Sequence, residues 1–239
     1  MKLPVLLKKT IHRIGRAYVQ RIVRGEAEEQ PKRFNERAIE YRFVFQSASR
    51  LCPQKVLDVG TGQSALPALL RICGIVVTAS DNVTDYWPEG MYNRHWHVVD
   101  DDITKSNLPG GYDMVTCISV LEHIRDHRAA VQEMFRLLSP GGHLLLTCPY
   151  TENEYVDNVY DLLDVRLEYR NLPYGCRSYS RRELEEWLSL TGGSIAEQEF
   201  WRIETSRVHG LGEWLYPAVQ VSREESHQLT CLLLHKPKK

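Results

Sequence analysis

One stretch of the chain decides its fold: Val56-Leu57-Asp58-Val59-Gly60-Thr61-Gly62-Gln63-Ser64-Ala65. Its first four residues are typical of a short buried strand, and apolar residues at helical spacing continue from Ala65. A strand that turns directly into a helix needs glycine, because the chain bends sharply and its backbone approaches a ligand without interference from Cβ. The stretch therefore predicts the first strand-turn-helix unit of a ligand-binding α/β sheet.

A carboxylate follows on the next predicted strand. Asp81 ends that strand, 21 residues after Gly60. In a doubly wound sheet this spacing puts the side chain at the tip of the neighbouring strand, where it can accept hydrogen bonds from ribose hydroxyls. The glycine turn and the spaced acid together predict a ligand that contains a nucleoside.

Short apolar strands alternate with amphipathic helices after Pro53, which predicts an α/β fold with a doubly wound, mostly parallel sheet covered on both faces. The predicted strands are Lys55–Gly60, Ile75–Ser80, His95–Val99, Tyr112–Ser119, His143–Cys148, Ser194–Ile203 and Gln228–His235, with a loop between the last two. The predicted helices are Phe34–Leu51, Ala65–Cys73, Ala129–Leu138 and one that begins with the capping box Ser180-Arg181-Arg182-Glu183.

The composition is that of a globular protein. The 239 residues are 43% hydrophobic and 26% charged, with a formal net charge of −1. These values exclude a disordered tail, a collagen-like fibre and a disulfide-dense mini-domain, and they argue against nucleic-acid binding by the whole surface. The six cysteines form no C-x-x-C pair, and no apolar run reaches the roughly 18 residues of a membrane span. We therefore expect a cytoplasmic protein in a reducing compartment.

The N-terminal segment is basic and amphipathic. Residues 1–24 contain seven lysines and arginines and no acid, and apolar residues recur every three or four positions. Such a helix lies peripherally on an anionic membrane, contacts a partner protein, or packs on its own domain. Residues 25–32 are polar and predict a linker. We expect an N-terminal helical extension over residues 1–52 and a main domain over residues 53–239.

The glycine turn alone leaves two ligands open. The pattern Gly60-x-Gly62-x-x-Ala65 also matches the dinucleotide fingerprint, which predicts a nicotinamide-dependent oxidoreductase. However, the carboxylate of Asp58 would repel a nearby pyrophosphate and favours a cationic ligand. In addition, no tyrosine has a lysine four residues later, so the proton-transfer pair of short-chain dehydrogenases is missing.

Further motifs follow in order: Ser80-Asp81, Asp102-Ile103, Tyr112-Asp113-Met114-Val115, Val120-Leu121-Glu122-His123-Ile124 and Leu138-Ser139-Pro140-Gly141-Gly142. With these motifs, residues 50–150 resemble the class I S-adenosylmethionine-dependent methyltransferases, in particular the small-molecule type 11 and type 12 branch. The resemblance implies a Rossmann-like sheet of seven strands with an antiparallel C-terminal strand. It also implies S-adenosyl-L-methionine as the cofactor and methylation, chiefly on oxygen, of a small-molecule or glycan-type acceptor.

The resemblance also implies roles for single residues. The methionine end of the cofactor would be lined by Asp58, Gly60 and Gly62, and the ribose would be held by Asp81. The adenine would lie between Asp102 and Ile103. A third glycine is common in this family, and Ser64 stands in its place.

His123 is the candidate catalytic base, because it follows a central strand and imidazole titrates near neutrality. Some relatives, such as small-RNA and ubiquinone-pathway O-methyltransferases, have a Glu-x-x-Glu-His metal set at this point. Here Ser119 replaces the first glutamate, which leaves Glu122 and His123, a thin shell for a hard dication. No metal is predicted, and a structural role of His123 in the turn is the alternative.

The binding site for the methyl acceptor has no motif of its own in the sequence. Residues 150–179 hold six tyrosines without periodicity, which is typical of a lid or acceptor insertion, although a packed aromatic pair of helices is the alternative. Residues 35–43 are similar to methyltransferases of polysaccharide and glycan pathways, which suggests an acceptor made near a membrane.

The alternative interpretation of the whole chain is a non-catalytic methyltransferase-like binding module. Nucleic acid is not predicted as a partner, because no basic-aromatic interleaving is present.

Overall fold

The computed structural model describes residues 5–28, 35–87, 90–170, 172 and 174–238. The chain divides into two compact units, Met1–Ala38 and Ile39–Lys239. The expected boundary at residue 52 therefore falls inside the second unit.

The first unit contains helix α1 (Val5–Glu28). The predicted linker was wrong over residues 25–28, which continue the helix, because alanine and glutamate in this polar stretch are good helix formers. Residues 29–34 lie outside the described part of the chain, and they include Phe34 at the predicted start of the second helix. Among the described residues, no helix is long and apolar enough to cross a membrane.

The second unit has helices on both faces of one sheet. Over the described residues the further helices are α2 (Arg37–Leu51), α3 (Leu66–Ile72), α4 (Val83–Tyr86), α5 (His127–Leu137) and α6 (Arg181–Thr191). The strands are β1 (Lys55–Val59), β2 (Val76–Asp81), β3 (Val98–Asp100), β4 (Tyr112–Ile118), β5 (Leu138–Pro149), β6 (Ser194–Glu204), β7 (Trp214–Val221) and β8 (Leu229–His235). The predicted capping box at the start of α6 is present, with Ser180 and Glu183 bonded reciprocally.

The strand order in the described chain is β3-β2-β1-β4-β5-β8-β6-β7. The first five strands in this order, β3-β2-β1-β4-β5, are parallel to one another. β8 runs antiparallel to β5, as expected for the C-terminal strand. The expected count of seven strands was one too few, because the predicted loop between β6 and β8 contains β7, which pairs antiparallel with β6 at the sheet edge. The sequence hid this strand because Pro217 interrupts it, and an edge strand tolerates proline.

Two apolar layers cover the sheet. One packs α5 and α6 on it through residues such as Met134 and Trp187, and the other packs α2 and α3 through residues such as Phe43 and Leu70. The order of the parallel strands reverses between β1 and β4, and open α/β sheets bind ligands at the carboxyl ends of strands beside such a point. We therefore expect a ligand-binding site at the turns after β1, β2 and β4.

Candidate functional site

The turn after β1 has the backbone conformation that the sequence pattern requires. Gly60 and Gly62 have φ angles of +69° and +52°. The amides of Gly60 and Thr61 donate to the carbonyl of Ser80, at 2.8 and 3.1 Å, which ties the turn to the end of β2. A Cβ on Gly60 would lie 2.3 Å from Cγ1 of Val120, so the turn after β4 packs directly on this glycine.

Asp58 is buried at the end of β1 and is bonded within the fold. Its Oδ2 accepts from the hydroxyl of Thr61, and its Oδ1 accepts from the hydroxyl of Thr116, both at 2.6 Å. Thr61 lies in the glycine turn and Thr116 lies on the adjacent strand β4. The carboxylate therefore joins the turn to the strand beside it.

Asp81 links the ends of β1 and β2. Its Oδ2 accepts from the amide of Gly62 at 2.7 Å, and its Oδ1 accepts from Nε1 of Trp87 at 3.0 Å. The side chain is 8% exposed. The spacing of acid and glycine seen in the sequence thus becomes a direct contact in the structure.

Two residues beside this turn were missed by the sequence analysis. The Trp87 ring lies over Gly62, with Cζ2 at 3.7 Å from the position of an added Cβ. Nδ2 of Asn93 donates to the carbonyls of Gly62 and Ser64, at 2.8 and 3.0 Å. The same Asn93 caps the amides of residues 95 and 96, so the third strand starts at residue 98 instead of the predicted residue 95. Neither residue belongs to a recognisable motif.

Asp102 and Ile103 follow β3. The Asp102 carboxylate caps a short 3₁₀ helix by accepting from the amide and hydroxyl of Thr104, at 3.0 and 2.7 Å. Burial alone would raise the pKa of Asp102, but the bonds from Thr104 and the charge of Lys105 lower it below its ordinary value. Ile103 is buried in the core beneath this turn. The backbone joins this segment to the glycine turn, because the amide of Asp101 donates to the carbonyl of Asp81 at 3.0 Å.

His123 lies in a 3₁₀ turn after β4. Its Nδ1 is 2.8 Å from the carbonyl oxygen of Gly175. Because a carbonyl only accepts, Nδ1 carries the hydrogen, and in the neutral ring the lone pair is on Nε2. Three ring contacts connect His123 to Trp87 through Tyr174 and Tyr86, with centroid distances of 4.9, 5.8 and 5.7 Å. A row of ring contacts thus leads from His123 to Trp87, whose indole N–H bonds Asp81.

The six tyrosines of residues 150–179 do not act as one group. Tyr150 and Tyr179 are buried in the core, and the Tyr179 hydroxyl donates to the carbonyl of Leu121 at 2.7 Å. Tyr160 contacts both Tyr174 and Tyr169, which extends the aromatic row away from His123. Part of this segment therefore supports the turn after β4, and part of it forms the row of ring contacts that begins at His123.

No group of three or more His, Cys, Asp or Glu side chains in the described ranges could hold a metal ion. The cysteines at positions 117, 148 and 231 are free and buried, as expected from their apolar surroundings. Burial raises the pKa of each of these thiols.

Residues 17–198 match a protein family described as a methyltransferase domain. The chain belongs to this methyltransferase family. It is similar to the ubiquinone biosynthesis O-methyltransferase of Azotobacter vinelandii, with 29% identity over 62% of this chain and 68% of that protein. It is also similar to the enzyme of the same name from Pectobacterium carotovorum, with 31% identity over 44% of this chain and 47% of that protein. The chain thus spans about two thirds of one of these relatives and under half of the other.

Solved structures agree on the fold. The 1,6-didemethyltoxoflavin-N1-methyltransferase of Burkholderia thailandensis, determined with S-adenosylhomocysteine, matches over 100% of this chain and 94% of its own, with a TM-score of 0.56 and 15% identity. The [4+2]-cyclase SpnF matches over 83% of this chain and 81% of its own, with a TM-score of 0.53 and 16% identity. A fold shared with a cyclase does not settle the reaction, so that must be argued from the site.

S-Adenosyl-L-methionine is the cofactor of this methyltransferase family, and the site suits it. The two left-handed glycines let the backbone approach a ligand, and Asp81 offers a carboxylate beside them. Neither the oxidoreductase nor the non-catalytic module is favoured by the relatives.

Replacing Asp81 with alanine is expected to weaken cofactor binding by about 1–3 kcal/mol, because ribose hydroxyls would lose a charged acceptor. Calorimetry with S-adenosylhomocysteine measures this change. Asp85→Asn, an exposed acid on α4, is the control and should bind like the wild type. Unchanged affinity in the Asp81 variant would mean that the ribose lies elsewhere.

Replacing Trp87 with phenylalanine is expected to have the opposite effect. The indole N–H occupies Oδ1 of Asp81, and its removal leaves that oxygen to the cofactor. We expect binding to become tighter by about 1 kcal/mol, or roughly fivefold. Trp96→Phe in the same loop is the matched control. Weaker binding by the Trp87 variant would show that the indole supports the cofactor and does not compete with it.

Proposed function

We propose that this protein transfers the methyl group of S-adenosyl-L-methionine to a hydroxyl of a small-molecule or glycan-type acceptor, with His123 as the catalytic base. The observation that carries the proposal is the orientation of His123. Its Nδ1 is held by the carbonyl of Gly175, which puts the lone pair of the neutral ring on Nε2, and ring contacts link His123 to Trp87, which bonds Asp81. The names of the curated relatives, which are O-methyltransferases, support oxygen as the acceptor atom.

The cofactor site follows from the turns after β1, β2 and β3. We propose that Gly60 and Gly62 form the cradle for the methionine end and that Asp58 holds this cradle through Thr61. Asp81 accepts from the ribose, and the segment of Asp102 and Ile103 flanks the adenine.

The chemistry needs little covalent help from the protein. When bound, the cofactor supplies an activated methyl group on a sulfonium. The residues then have to align the acceptor oxygen with that methyl group and remove the hydroxyl proton. His123 is suited to removing the proton because its Nδ1 is held by the backbone carbonyl of Gly175. This bond sets both the orientation of the ring and its tautomer.

We propose residues 150–179 as the acceptor insertion of the domain that follows the N-terminal extension. The tyrosines at positions 160, 169 and 174 form a row of ring contacts that begins at His123. Aromatic faces of this kind stack on sugar or aromatic rings. The hydroxyl of Tyr160 is unsuited to proton transfer, because burial and the neighbouring Cys176 raise its pKa far above the ordinary value.

The test is transfer of a labelled methyl group from the cofactor to a panel of phenols, nucleotide-sugars and lipid-linked glycans. We expect an O-methylated product and, in His123→Gln, at least a tenfold lower turnover with unchanged affinity for S-adenosylhomocysteine. Methylation confined to proteins or RNA would contradict the proposal. Full turnover in the His123 variant would remove only the assignment of the base.

We further propose that α1 places the enzyme on the cytoplasmic surface of an anionic membrane. Its apolar residues Leu7, Ile11, Ile14 and Tyr18 recur along one face and are 45%, 51%, 66% and 67% exposed. The exposed cations of residues 8–24 lie on the rest of the helix surface. An apolar stripe flanked by basic side chains suits insertion at the boundary of headgroups and acyl chains.

The double variant Arg13→Glu/Arg16→Glu is expected to lose at least tenfold in affinity for vesicles of phosphatidylcholine with phosphatidylserine, because each cation near such a surface contributes about 1 kcal/mol. Co-sedimentation measures binding, with vesicles of phosphatidylcholine alone as the comparison. Arg71→Glu, an exposed cation of α3, is the control. Binding that ignores the anionic lipid, or capture by a protein partner in its place, would refute the membrane proposal.

A further inference from the structure

A carboxylate is buried on the apolar face of α2. Glu40 has no exposed surface, and its neighbours on the same face include Ile39, Phe43 and Val44, which pack in the core. Burying a carboxylate costs several kcal/mol unless it is bonded. A glutamate at such a position therefore needs specific partners.

Those partners stand at the carboxyl ends of the two central strands. Oε1 of Glu40 accepts from the hydroxyl of Ser119, just after β4, at 2.5 Å. The same oxygen accepts from the hydroxyl of Thr147, near the end of β5, at 2.6 Å. The amide of Ser119 in turn donates to the carbonyl and hydroxyl oxygens of Thr147, each at 3.0 Å. The three residues form a closed hydrogen-bonded triangle, in which the Ser119 backbone amide makes the side between Ser119 and Thr147.

Ser119 needs this support because its backbone is left-handed, with φ at +49°. A residue with a side chain is strained in that region and persists there where the surroundings hold it. The turn that starts here places Val120 against Gly60 and carries His123, four residues after Ser119. The conformation of Ser119 thus sets the position of two parts of the site at once.

We propose that Glu40 is a positioning residue of the methyl-transfer site. Through Ser119 it holds the turn after β4, and this turn orients His123 and closes on the glycine cradle. The inference rests on the proposed function, but it concerns a residue of α2 that belongs neither to the glycine turn nor to the turn that carries His123. It assigns to α2 a part in the site beyond covering the sheet.

The experiment compares Glu40→Ala and Glu40→Gln with Ser47→Ala, a buried polar residue on the same helix. Each variant is titrated with S-adenosylhomocysteine by calorimetry, and the His123 imidazole signal is followed by NMR, identified by its loss in His123→Gln. We expect Glu40→Ala to bind about tenfold more weakly and to shift the His123 signal. Glu40→Gln keeps an acceptor oxygen for both hydroxyls and should stay within twofold of the wild type, as should Ser47→Ala.

A second comparison covers the case in which Glu40→Ala folds poorly. Ser119→Ala removes one donor and should reproduce a part of the loss, and adding it to Glu40→Gln should give no more than its own effect, because both act through one contact. Equal losses in the glutamine and alanine variants, or a lower thermal stability with unchanged affinity and His123 signal, would overturn the proposal. A wild type that binds S-adenosylhomocysteine but methylates no acceptor hydroxyl would instead refute the proposed function. The binding and NMR comparison of the variants would still test the role of Glu40 in that case.

Discussion

A Gly60→Ala variant is expected to lose at least about thirtyfold in affinity for the cofactor. The added Cβ would lie 2.3, 2.5 and 2.9 Å from the side-chain carbons of Val120, far inside van der Waals contact. The φ of +69° adds the strain of a left-handed alanine. Overpacking and strain together cost about 2–5 kcal/mol, and the turn relieves them by moving away from β4. Calorimetry with S-adenosylhomocysteine measures the loss.

Two further variants separate the causes. Gly74 has a φ of +89° but nothing within 4 Å of an added Cβ, so Gly74→Ala carries the backbone strain without the clash and should bind normally. Val120→Ala in the Gly60→Ala background removes the clashing methyl groups and should restore a part of the affinity. Gly60→Ala with wild-type binding would show that the glycine turn does not contact the cofactor.

A Glu204→Ala variant is expected to be less stable by about 3–5 kcal/mol, because it removes the buried carboxylate of an ion pair and leaves the partly buried Arg166 with only the longer contact to the exposed Glu168. Glu204 ends β6 with no exposed surface, and its carboxylate accepts from Nη2 of Arg166 and from the amide of Gly210, each at 3.1 Å. Nδ1 of His209 is 3.0 Å away. The carboxylate thus joins β6, the loop before β7 and the segment of residues 150–179.

Thermal unfolding measures this loss, and a midpoint lowered by roughly 10 °C is expected. Glu213→Ala, an exposed acid in the same loop, is the control. If Glu204→Ala unfolds within 2 °C or so of the wild type, the tertiary link between the loop and the insertion is not what stabilises them.

The buried carboxylate of Glu204 also makes the free energy of unfolding depend on pH. Burial alone would raise the pKa of Glu204, but the bond from His209 and the charge of Arg166 lower it below the ordinary value of 4.5. A lowered pKa means that the unfolded chain takes up this proton at higher pH than the folded chain. The contribution is therefore complete above about pH 4.5 and is lost as the pH falls through the folded pKa. Glu204→Gln should show a shallower loss of stability on acidification.

Local sequence patterns were sufficient for much of the fold. The alternation of strands and helices predicted the parallel half of the sheet, and the capping box located the start of α6. Residues 25–28 continue α1 although their polar composition predicts a linker, because a polar composition does not prevent a helix. β7 was missed because pairing with β6, and not its own pattern, makes it a strand.

The sequence by itself determined the parts of the candidate site that are continuous in the chain. Gly60 and Gly62 follow a buried strand, and Asp81 follows at the right spacing, because a strand-turn-helix unit repeats with a regular period. His123 was likewise visible as a polar residue after a central strand.

Only the tertiary structure decided which distant residues pack around these turns. Trp87 and Asn93 bind the glycine turn from a loop that has no motif, and Glu40 reaches Ser119 from a helix 79 positions earlier in the chain. These contacts depend on how helices and loops pack on the sheet. The physical reason is that hydrogen bonds between distant side chains leave no periodic trace in the order of residues.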